Sequence, residues 1–369
     1  MVKEQGASDL HISTGAPPML RIHGEVHPVA YPELTGDQAR QLLFELMTTE
    51  QKSVFHKQKD IDFAYEVAGE VRVRCNLYEQ INGIAGAFRL LPTQIFTLDQ
   101  LGLPDQVKQL TSLQKGLIVV TGPPGSGKST TLAAILNAIN QTERKHILTI
   151  EDPVEYVHPN LKCLVNQREI GRSARSFASA LRAALREDPN VVMVGEMRDL
   201  ETAKIAVQAA LTGHKVFSTL HTNDAASSII RLLEMGVEDY LVTSTLNGVI
   251  AQRLVRTLCK HCREGREVIP KMAAELGLEH LAGAETPILY HPVGCAECND
   301  SGYRGRCSIL EVMPMNDALG AAVLGDRDAY RLRQVAREQG LASMREDGLN
   351  KALRGLTSLE EIELATGAL

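Results

Sequence analysis

Residues 116–137 read GLIVVTGPPGSGKSTTLAAILN, and the order of the patterns in them predicts how the central part of the chain folds. The apolar run GLIVVT is typical of a strand buried on both faces, and the segment STTLAAIL is typical of a helix. Between them, GPPGSGKS is a complete GxxxxGK[ST] motif, whose glycines let backbone N–H groups curl around a phosphate at the amino end of a helix. The sequence therefore predicts a strand, a phosphate-binding loop and a helix, in that order.

The loop supplies the candidate nucleotide-binding residues. Lys128 is expected to reach the outer phosphates of ATP, and Ser129 is expected to ligate magnesium. A chance glycine loop is the alternative, and the strand before the motif and the helix after it speak against that. The predicted set is Gly122, Pro123, Pro124, Gly125, Ser126, Gly127, Lys128, Ser129 and Thr130.

Further apolar runs surround this unit in sequence. HILTI, NVVMVG and KVFSTL are typical of buried strands, and they alternate with helical stretches such as STTLAAILNAIN and LETAKIAVQAALTG. Strands that are apolar on both faces and separated by helices predict a parallel sheet covered by helices on each side. We expect an α/β domain over residues 115–258.

Acidic residues follow two of these strands. Glu196 is the acid at the tip of strand 191–194, where a P-loop fold presents a carboxylate to magnesium or its water. Glu151, Asp152 and Glu155 follow HILTI in the segment EDPVEY. We expect this group to hold the metal or polarise the attacking water, with Glu155 as general base. A solvated acidic turn is the alternative.

Two histidines flank the strand KVFSTL. His214 precedes the strand and His221 follows it. A lone histidine is usually an ordinary surface or core residue. Ligands bind at the carboxyl ends of parallel strands, however, so His221 is a candidate sensor of the γ-phosphate.

The first hundred residues predict a separate, small α+β domain. Residues 35–48 carry leucines at helical spacing after the capping candidate Thr35, and 61–67 and 71–78 alternate as strands do. We expect one amphipathic helix among strands. The domain carries three arginines that can stabilise negative charge developing on a phosphate. They could do so if the domain covers a nucleotide bound to its own subunit or to a neighbouring one, which predicts a ring or dimer. A solvated sheet face is the alternative for Arg72, Arg74 and Arg89.

Charge and hydropathy exclude several classes of protein. The net charge of -6 argues against a nucleic-acid binder that works by bulk charge. No apolar run is long enough to span a bilayer, and the first residues lack the apolar middle of a signal peptide. We therefore expect a cytosolic protein, held to a membrane at most through partners.

Four of the seven cysteines form two CxxC pairs. Two such pairs can present four thiolates tetrahedrally, as in a structural zinc site. We call the segment between the pairs, residues 259–298, the excursion; we expect it to have little core of its own, so that bound zinc would stabilise its fold. A redox role is the alternative, although redox CxxC motifs usually occur singly. The expected ligands are Cys259, Cys262, Cys295 and Cys298.

Several of these motifs together resemble the ATPases that drive type II secretion and type IV pili. The similarity lies in GPPGSGKSTTL, ILTIEDPVEY, LREDPNVVMVGEMRDLET, TGHKVFSTLHTNDA and AQRLVRTLCKHC, in this order and spacing, and covers nearly the whole chain. It implies a PAS-like α+β domain (1–100), a linker (101–114), a RecA-like ATPase core (115–258), a zinc-binding insert (259–307) and a C-terminal helical region (308–369).

The resemblance also implies roles and partners. Glu155 would activate water, Glu196 would organise the metal, and His221 would report the γ-phosphate at the end of a histidine box that begins at His214. Arg74 and Arg89 would be the arginines supplied by the N-terminal domain. Family members are hexamers that bind ATP and magnesium and act on platform proteins at the cytoplasmic face of the inner membrane.

Two branches of the family compete for this sequence. The opening GASDLHISTGAPPMLRIHGEV looks like the pilus retraction ATPases, whereas the cysteine pairs look like the assembly and secretion ATPases, which we favour. The chain lacks the extra N-terminal docking domain of many such motors, so we expect either a truncation or a different mode of docking. A nucleic-acid translocase and a nucleotide-gated adaptor without enzymatic activity are alternatives from other classes.

Overall fold

The computed structural model of the chain describes residues 2, 4–22, 25–67, 71–91, 94–282, 286–325 and 327–367. The chain divides into two compact units. The first comprises residues 1–95 together with 153–157, and the second comprises residues 96–152 and 158–369.

The first unit contains an antiparallel sheet with the strand order β3-β2-β1-β6-β5-β4. The two alternating segments form the predicted strands β4 and β5. The strands are β1 (Asp9–Ser13), β2 (Met19–Ile22), β3 (Glu25–Pro28), β4 (Asp60–Val67), β5 (Val71–Gln80) and β6 (Gly83–Leu91).

Among the described residues of this unit, two helices accompany the sheet, where the sequence predicted one. Helix α1 (Gly36–Glu45) begins after Thr35, which caps it as expected. Helix α2 (Thr49–Gln58) was missed, although Thr48 and Gln51 form a capping box at its start. Its apolar content is low, which explains why periodicity did not reveal it.

The second unit contains the predicted parallel sheet, so the mixed α/β fold is confirmed. Its strand order is β15-β12-β7-β11-β10-β8-β9, parallel throughout except for the pair β12 and β15. The strands are β7 (Gly116–Thr121), β8 (His146–Glu151), β9 (Leu164–Glu169), β10 (Val191–Val194), β11 (Lys215–Leu220), β12 (Leu246–Leu258) and β15 (Tyr303–Pro314).

Helices cover both faces of this sheet because its strands are apolar on both. Leu117 and Val119 of β7 face one core with helices α5, α6, α7 and α8, while Ile118 and Val120 face another with α3 and α4. The helices are α3 (Asp105–Ser112), α4 (Lys128–Thr142), α5 (Phe177–Ala184), α6 (Leu200–Leu211), α7 (Ala225–Glu234) and α8 (Asp239–Thr245). Helix α3 lies within the stretch 101–114 that we expected to be a linker.

The end of the chain is less purely helical than expected. The 12-residue strand β15 follows the second cysteine pair and pairs with β12 before the helices begin. The helices are α11 (Asp317–Gly325), α12 (Ala329–Glu338), α13 (Met344–Leu353) and α14 (Leu359–Thr366). Ser358 caps α14 at the N–H of Glu361, as its spacing predicted.

The expectation that the excursion between the cysteine pairs has little core was wrong. It contains a hairpin of β13 (Glu264–Glu267) and β14 (Ile288–His291), helices α9 (Pro270–Leu276) and α10 (Glu279–Ala282), and a 3₁₀ turn at Ala296–Cys298. Val268, Leu278 and Leu289 pack with Leu349 and Ile362 of the terminal helices. The excursion shares an apolar core that its own sequence does not reveal.

No helix in the described ranges has both the length and the apolar character needed to cross a bilayer.

Candidate nucleotide site and cysteine cluster

The carboxyl ends of β7, β11, β10 and β8 meet at one edge of the sheet, which we call the carboxyl edge. The parallel registers pair Thr121 with Leu220 and Val194 with both Ser218 and Ile150. Because parallel strands end on the same side, the segments that follow them converge there. These segments are the phosphate-binding loop after β7, His221 after β11, Glu196 after β10 and Asp152 after β8.

The phosphate-binding loop requires its glycines. Gly122 and Gly127 have φ values of 146° and 89°, a region that favours glycine. Gly127 is the residue before α4, so the loop ends at a helix amino terminus. The ammonium Nζ of Lys128 is buried and donates to the carbonyl oxygens of Gly122 and Pro123 at 2.8 and 3.0 Å. This arrangement keeps the lysine charge at the loop.

Hydroxyl groups fix the position of His221 beside the loop strand. The Thr121 hydroxyl lies 3.0 Å from the carbonyl oxygen of Leu220 and accepts from the N–H of Thr222 at 3.0 Å. These bonds hold the residues on both sides of His221 against the end of β7. Because the backbone on both sides of His221 is hydrogen-bonded, the direction in which its side chain leaves the strand end is fixed.

Glu196 is held between neighbouring strands in the same way. The N–H of Gly195 donates to Ile150 of β8 at 2.8 Å, and the N–H of Met197 donates to Thr219 of β11 at 3.1 Å. The Glu196 side chain is only 15% exposed.

The structure brings Glu196 and His221 together. Nε2 of His221 lies 3.4 Å from Oε2 of Glu196, and the Arg198 guanidinium approaches the same oxygen at 2.8 Å. Sequence reasoning missed Arg198, although it stands two positions after Glu196 in the quoted motif. The two candidate residues from different strands thus form one cluster at the carboxyl edge.

The acids of the segment EDPVEY differ in burial and in the unit to which they belong. Glu151 ends β8, is buried, and accepts from the hydroxyl of Thr149 at 2.6 Å and from the amide of Gln167 at 3.2 Å. Asp152 is exposed. Glu155 is half-buried and lies in Pro153–Val157, which groups with the first unit.

His214 lies at the opposite edge of the sheet from His221. It precedes β11, and its Nδ1 lies 3.0 Å from the carbonyl oxygen of Ala209 at the end of α6. A six-residue strand spans roughly 20 Å, so the structure does not bring the two histidines together.

The arginines of the first unit lie on its sheet. Arg74 and Arg89 are directly opposite each other in β5 and β6, so their side chains share one face. Arg74 lies 3.6 Å from Asp62, and Arg89 donates to the buried Asp9 at 2.8 Å. Arg72 is half-buried on β5.

Asp9 is charged in spite of its burial. Burial raises the pKa of its carboxyl, but hydrogen bonds from Ser8 and Arg89 outweigh that effect, and the pKa lies below its usual value. A lowered pKa in the folded state means that the ionised group stabilises the fold above the unfolded-state pKa, and that this stability is lost as pH falls through the folded-state pKa.

We therefore expect Asp9→Asn to reduce the stability of the first unit at pH 7, by about 1–2 kcal/mol, because the negative charge that pairs with Arg89 is lost. Hydrogen exchange of β1 and β6 amides in the full chain measures this. The difference from wild type should shrink below about pH 4. Asp62→Asn, which breaks an exposed pair, is the control and should change exchange little. Equal effects of both variants would contradict the assignment.

The four cysteines predicted as ligands form one cluster. Their Sγ atoms all lie within 4.8 Å of one another, with separations of 3.8, 3.8 and 3.7 Å for Cys259 to Cys295, Cys262 to Cys298 and Cys295 to Cys298. A tetrahedral site with metal–sulfur bonds of about 2.3 Å has edges of about 3.8 Å. The cluster can therefore hold a metal ion, and four converging sulfurs favour that over a redox pair.

Backbone groups around the cluster favour thiolates. The N–H groups of Cys295 and Gly302 donate to Sγ of Cys298 at 3.2 Å each, and the N–H of Gly294 donates to Sγ of Cys262 at 3.3 Å. At Cys298 burial is outweighed by the hydrogen-bond donors, which lower the pKa to about 7, whereas burial raises the pKa of Cys262 and raises that of Cys295 to about 12. Donors aimed at sulfur suit a metal-ligating cysteine.

Known proteins share this fold and a large part of this sequence. The solved structure titled as the pilus retraction motor PilT with bound ADP has a TM-score of 0.80 and 36% identity, covering 99% of this chain and 95% of that one. The type IV pilus retraction ATPase PilT of Pseudomonas aeruginosa is 46% identical over 71% of this chain and 77% of its own length. The type II secretion system ATPase E of Vibrio cholerae is 40% identical over 98% of this chain and 73% of its own length.

The type IV pilus assembly ATPase PilB of Thermus thermophilus is 40% identical over 97% of this chain, which spans 41% of that longer protein. The family model described as type II/IV secretion system protein matches residues 1–364. The chain therefore belongs to the type II/IV secretion system protein family, together with the secretion and pilus ATPases that it resembles.

Proposed function

We propose that the chain is an ATP-hydrolysing motor that powers the assembly of type IV pili or of type II secretion pseudopili. The observation that carries this is the carboxyl edge, where a complete phosphate-binding loop with its lysine lies on the same sheet edge as the paired Glu196 and His221. An enzyme that cleaves a phosphoanhydride needs both a phosphate cradle and ionisable groups beside it.

Each residue has a distinct part in the proposed reaction. The loop N–H groups and Lys128 bind and orient the phosphates, and His221 contacts the γ-phosphate. A water oxygen attacks the γ-phosphorus, the bond to the bridging oxygen of ADP breaks, and the water proton passes to Glu155. The half-buried position of Glu155 after β8 supports its role as general base. Arg74 and Arg89 stabilise the negative charge that develops on the phosphoryl oxygens.

Ser129 and Glu196 would hold magnesium. Ser129 stands in the first turn of α4 and Glu196 is a shielded carboxylate at the same sheet edge, so both offer the hard oxygen donors that this ion prefers. Magnesium neutralises charge on the phosphates when bound. Arg198 and His221 fix the orientation of the Glu196 carboxylate.

The proposed assembly is a homohexamer at the cytoplasmic face of the inner membrane. Arg74 and Arg89 belong to the first unit, far in sequence from the loop, and a ring lets them serve a neighbouring subunit's nucleotide. The ring would act on inner-membrane platform proteins and associate with the membrane through them. A direct role for nucleic acid is not expected, since the net charge is -6.

The cysteine cluster supports the assembly and secretion branch, because the resemblance associates paired cysteines with that branch. Zinc is the proposed ion, since four thiolates with tetrahedral edge lengths suit it. The 46% identity to a pilus retraction ATPase keeps retraction as the second candidate. Pull-down with platform proteins of each system distinguishes the two.

We expect Glu196→Gln to lower the rate of ATP hydrolysis by roughly 10²–10³-fold while nucleotide still binds. The amide keeps the shape of the side chain but removes the charge that orients magnesium and pairs with His221. Phosphate release measures turnover, and a fluorescent ADP analogue measures binding.

Glu201→Gln is the matched control, because Glu201 lies on α6 in an exposed ion pair with Arg182. It should leave turnover within about twofold of wild type, as exposed ion pairs contribute little. Unchanged hydrolysis in Glu196→Gln would overturn the placement of the reaction at this edge.

A further inference from the structure

Gln252 is a buried side chain on β12 that touches both the phosphate-binding loop and α4. Its Nε2 donates to the carbonyl oxygen of Ser126 at 2.9 Å, and its Oε1 accepts from the hydroxyl of Thr131 at 2.7 Å. The residue is only 3% exposed. A carbonyl oxygen can only accept, so the NH₂ group of the amide must face Ser126.

The backbone of β12 also lies against the loop. β12 runs parallel to β7 up to the pair Ala251 and Thr121, so Gln252 stands beside the first loop residues. A Cβ on Gly122 would lie 2.3 Å from the carbonyl oxygen of Gln252, and a Cβ on Gly127 would lie 2.7 Å from its Nε2. Gln252 is therefore one reason why these two loop positions need glycine.

The bond to Ser126 determines where another group points. The Ser126 carbonyl and the Gly127 N–H belong to one planar trans peptide, in which C=O and N–H point in opposite directions. A carbonyl held towards β12 therefore turns the Gly127 N–H away from β12. Phosphate loops work through backbone N–H groups aimed at the anion.

We propose that Gln252 is a positioning residue that anchors the Ser126 carbonyl and thereby aims the Gly127 N–H at a phosphate of bound nucleotide. This inference rests on the proposed function, in which the loop binds ATP. Gln252 itself does not touch the phosphates. It lies 126 positions from Ser126 in the sequence, so the link exists only in the folded chain.

The proposal has a kinetic signature. In this proposal the Gly127 N–H contacts phosphate both before and during cleavage. A change in the direction of this N–H therefore weakens the binding of ATP and of the transition state by similar amounts. Such uniform loss raises KM and leaves kcat nearly unchanged. A residue that only stabilises the fold would instead lower the melting temperature without selectively raising KM.

The test uses Gln252→Met, which keeps the length of the side chain and removes both hydrogen bonds. In the full chain we expect KM for ATP and Kd for ADP to rise about tenfold, with kcat within about threefold of wild type. Ile250→Val, a buried neighbour on the same strand, controls for lost packing and should leave KM unchanged. Melting temperatures without nucleotide are compared in parallel.

The outcomes separate the two proposals. Wild type that binds and cleaves ATP while Gln252→Met shows unchanged KM overturns this inference alone, and so does an equal rise in KM for Ile250→Val. Wild type that fails to bind ATP overturns the proposed function as well. If Gln252→Met does not fold, Gln252→Glu keeps the shape of the side chain and the acceptor for Thr131 but replaces the Nε2 donor by an oxygen that repels the Ser126 carbonyl. A rise in KM then supports the inference, and an unchanged KM overturns it.

Discussion

Replacing Lys128 with alanine lowers the rate of ATP hydrolysis by roughly 10³-fold or more, the largest loss of activity expected from one substitution in this protein. The ammonium group is buried and held over the loop by two of the loop's own carbonyl oxygens. A positive charge in that place is worth more than one in water, because the surroundings screen it less. Without it, charge that develops on the leaving oxygens has no lysine partner.

The measurement is steady-state phosphate release by the full chain, with ADP-analogue binding followed in parallel. Lys115→Ala is the matched control, because Lys115 is exposed and precedes β7 at the opposite end from the loop. Its turnover should stay within about twofold of wild type. If Lys128→Ala kept most of the activity, the loop would not be the site of cleavage.

Replacing Cys298 with serine has the largest expected effect on stability. Sγ of Cys298 lies 3.8 and 3.7 Å from two other cluster sulfurs and accepts two backbone N–H groups, so it lies at the centre of the cluster contacts. Binding of zinc by four thiolates contributes on the order of 10 kcal/mol to folding. We expect the variant to lose the metal and to loosen the turns that carry the cysteines, residues 259–262 and 295–302.

Metal analysis of the purified full chain should give about one zinc per wild-type chain and far less for Cys298→Ser. Hydrogen exchange of residues 259–262 and 295–302 reports the local loosening, with β13 and β14 as the more protected comparison. Cys307→Ser removes a cysteine outside the cluster and should retain the zinc. Wild-type protein that is folded and carries less than about half a zinc per chain would contradict the assignment.

The apolar core of the excursion sets a limit on this effect. Leu278 and Leu289 pack with Leu349 and Ile362 of the terminal helices. In addition, the Arg256 guanidinium donates a hydrogen bond to the Glu361 carboxylate of α14. Loss of zinc is therefore expected to loosen the cysteine turns most strongly, while the shared core retains part of the hairpin. The sequence suggested a stronger dependence on metal because it did not reveal this core.

Features that depend on neighbouring residues could be predicted. The phosphate-binding loop, its strand and its helix lie between residues 116 and 142, and each leaves its own pattern there. Glu196 and His221 could be assigned to strand ends because the runs VVMV and KVFSTL mark their strands. The paired cysteines were recognisable from their spacing.

Features that depend on strand order could not be predicted. The contact of Gln252 with the loop requires β12 to lie beside β7, and the pairing of Glu196 with His221 requires β10 to lie beside β11. Arg198 was passed over because a single arginine after a strand carries no pattern of its own. Helix α2 was missed because its apolar content is low.

Periodicity and motif spacing act over a few residues, so the local elements and the phosphate-binding, acidic and sulfur chemistry on them could be assigned before the fold was known. Which of those groups meet became visible in the folded chain: His221 joins Glu196, His214 lies at the far edge, and Gln252 reaches the loop. Contacts between distant residues are set by strand order and by packing of the whole sheet, and these leave no signature in any one segment.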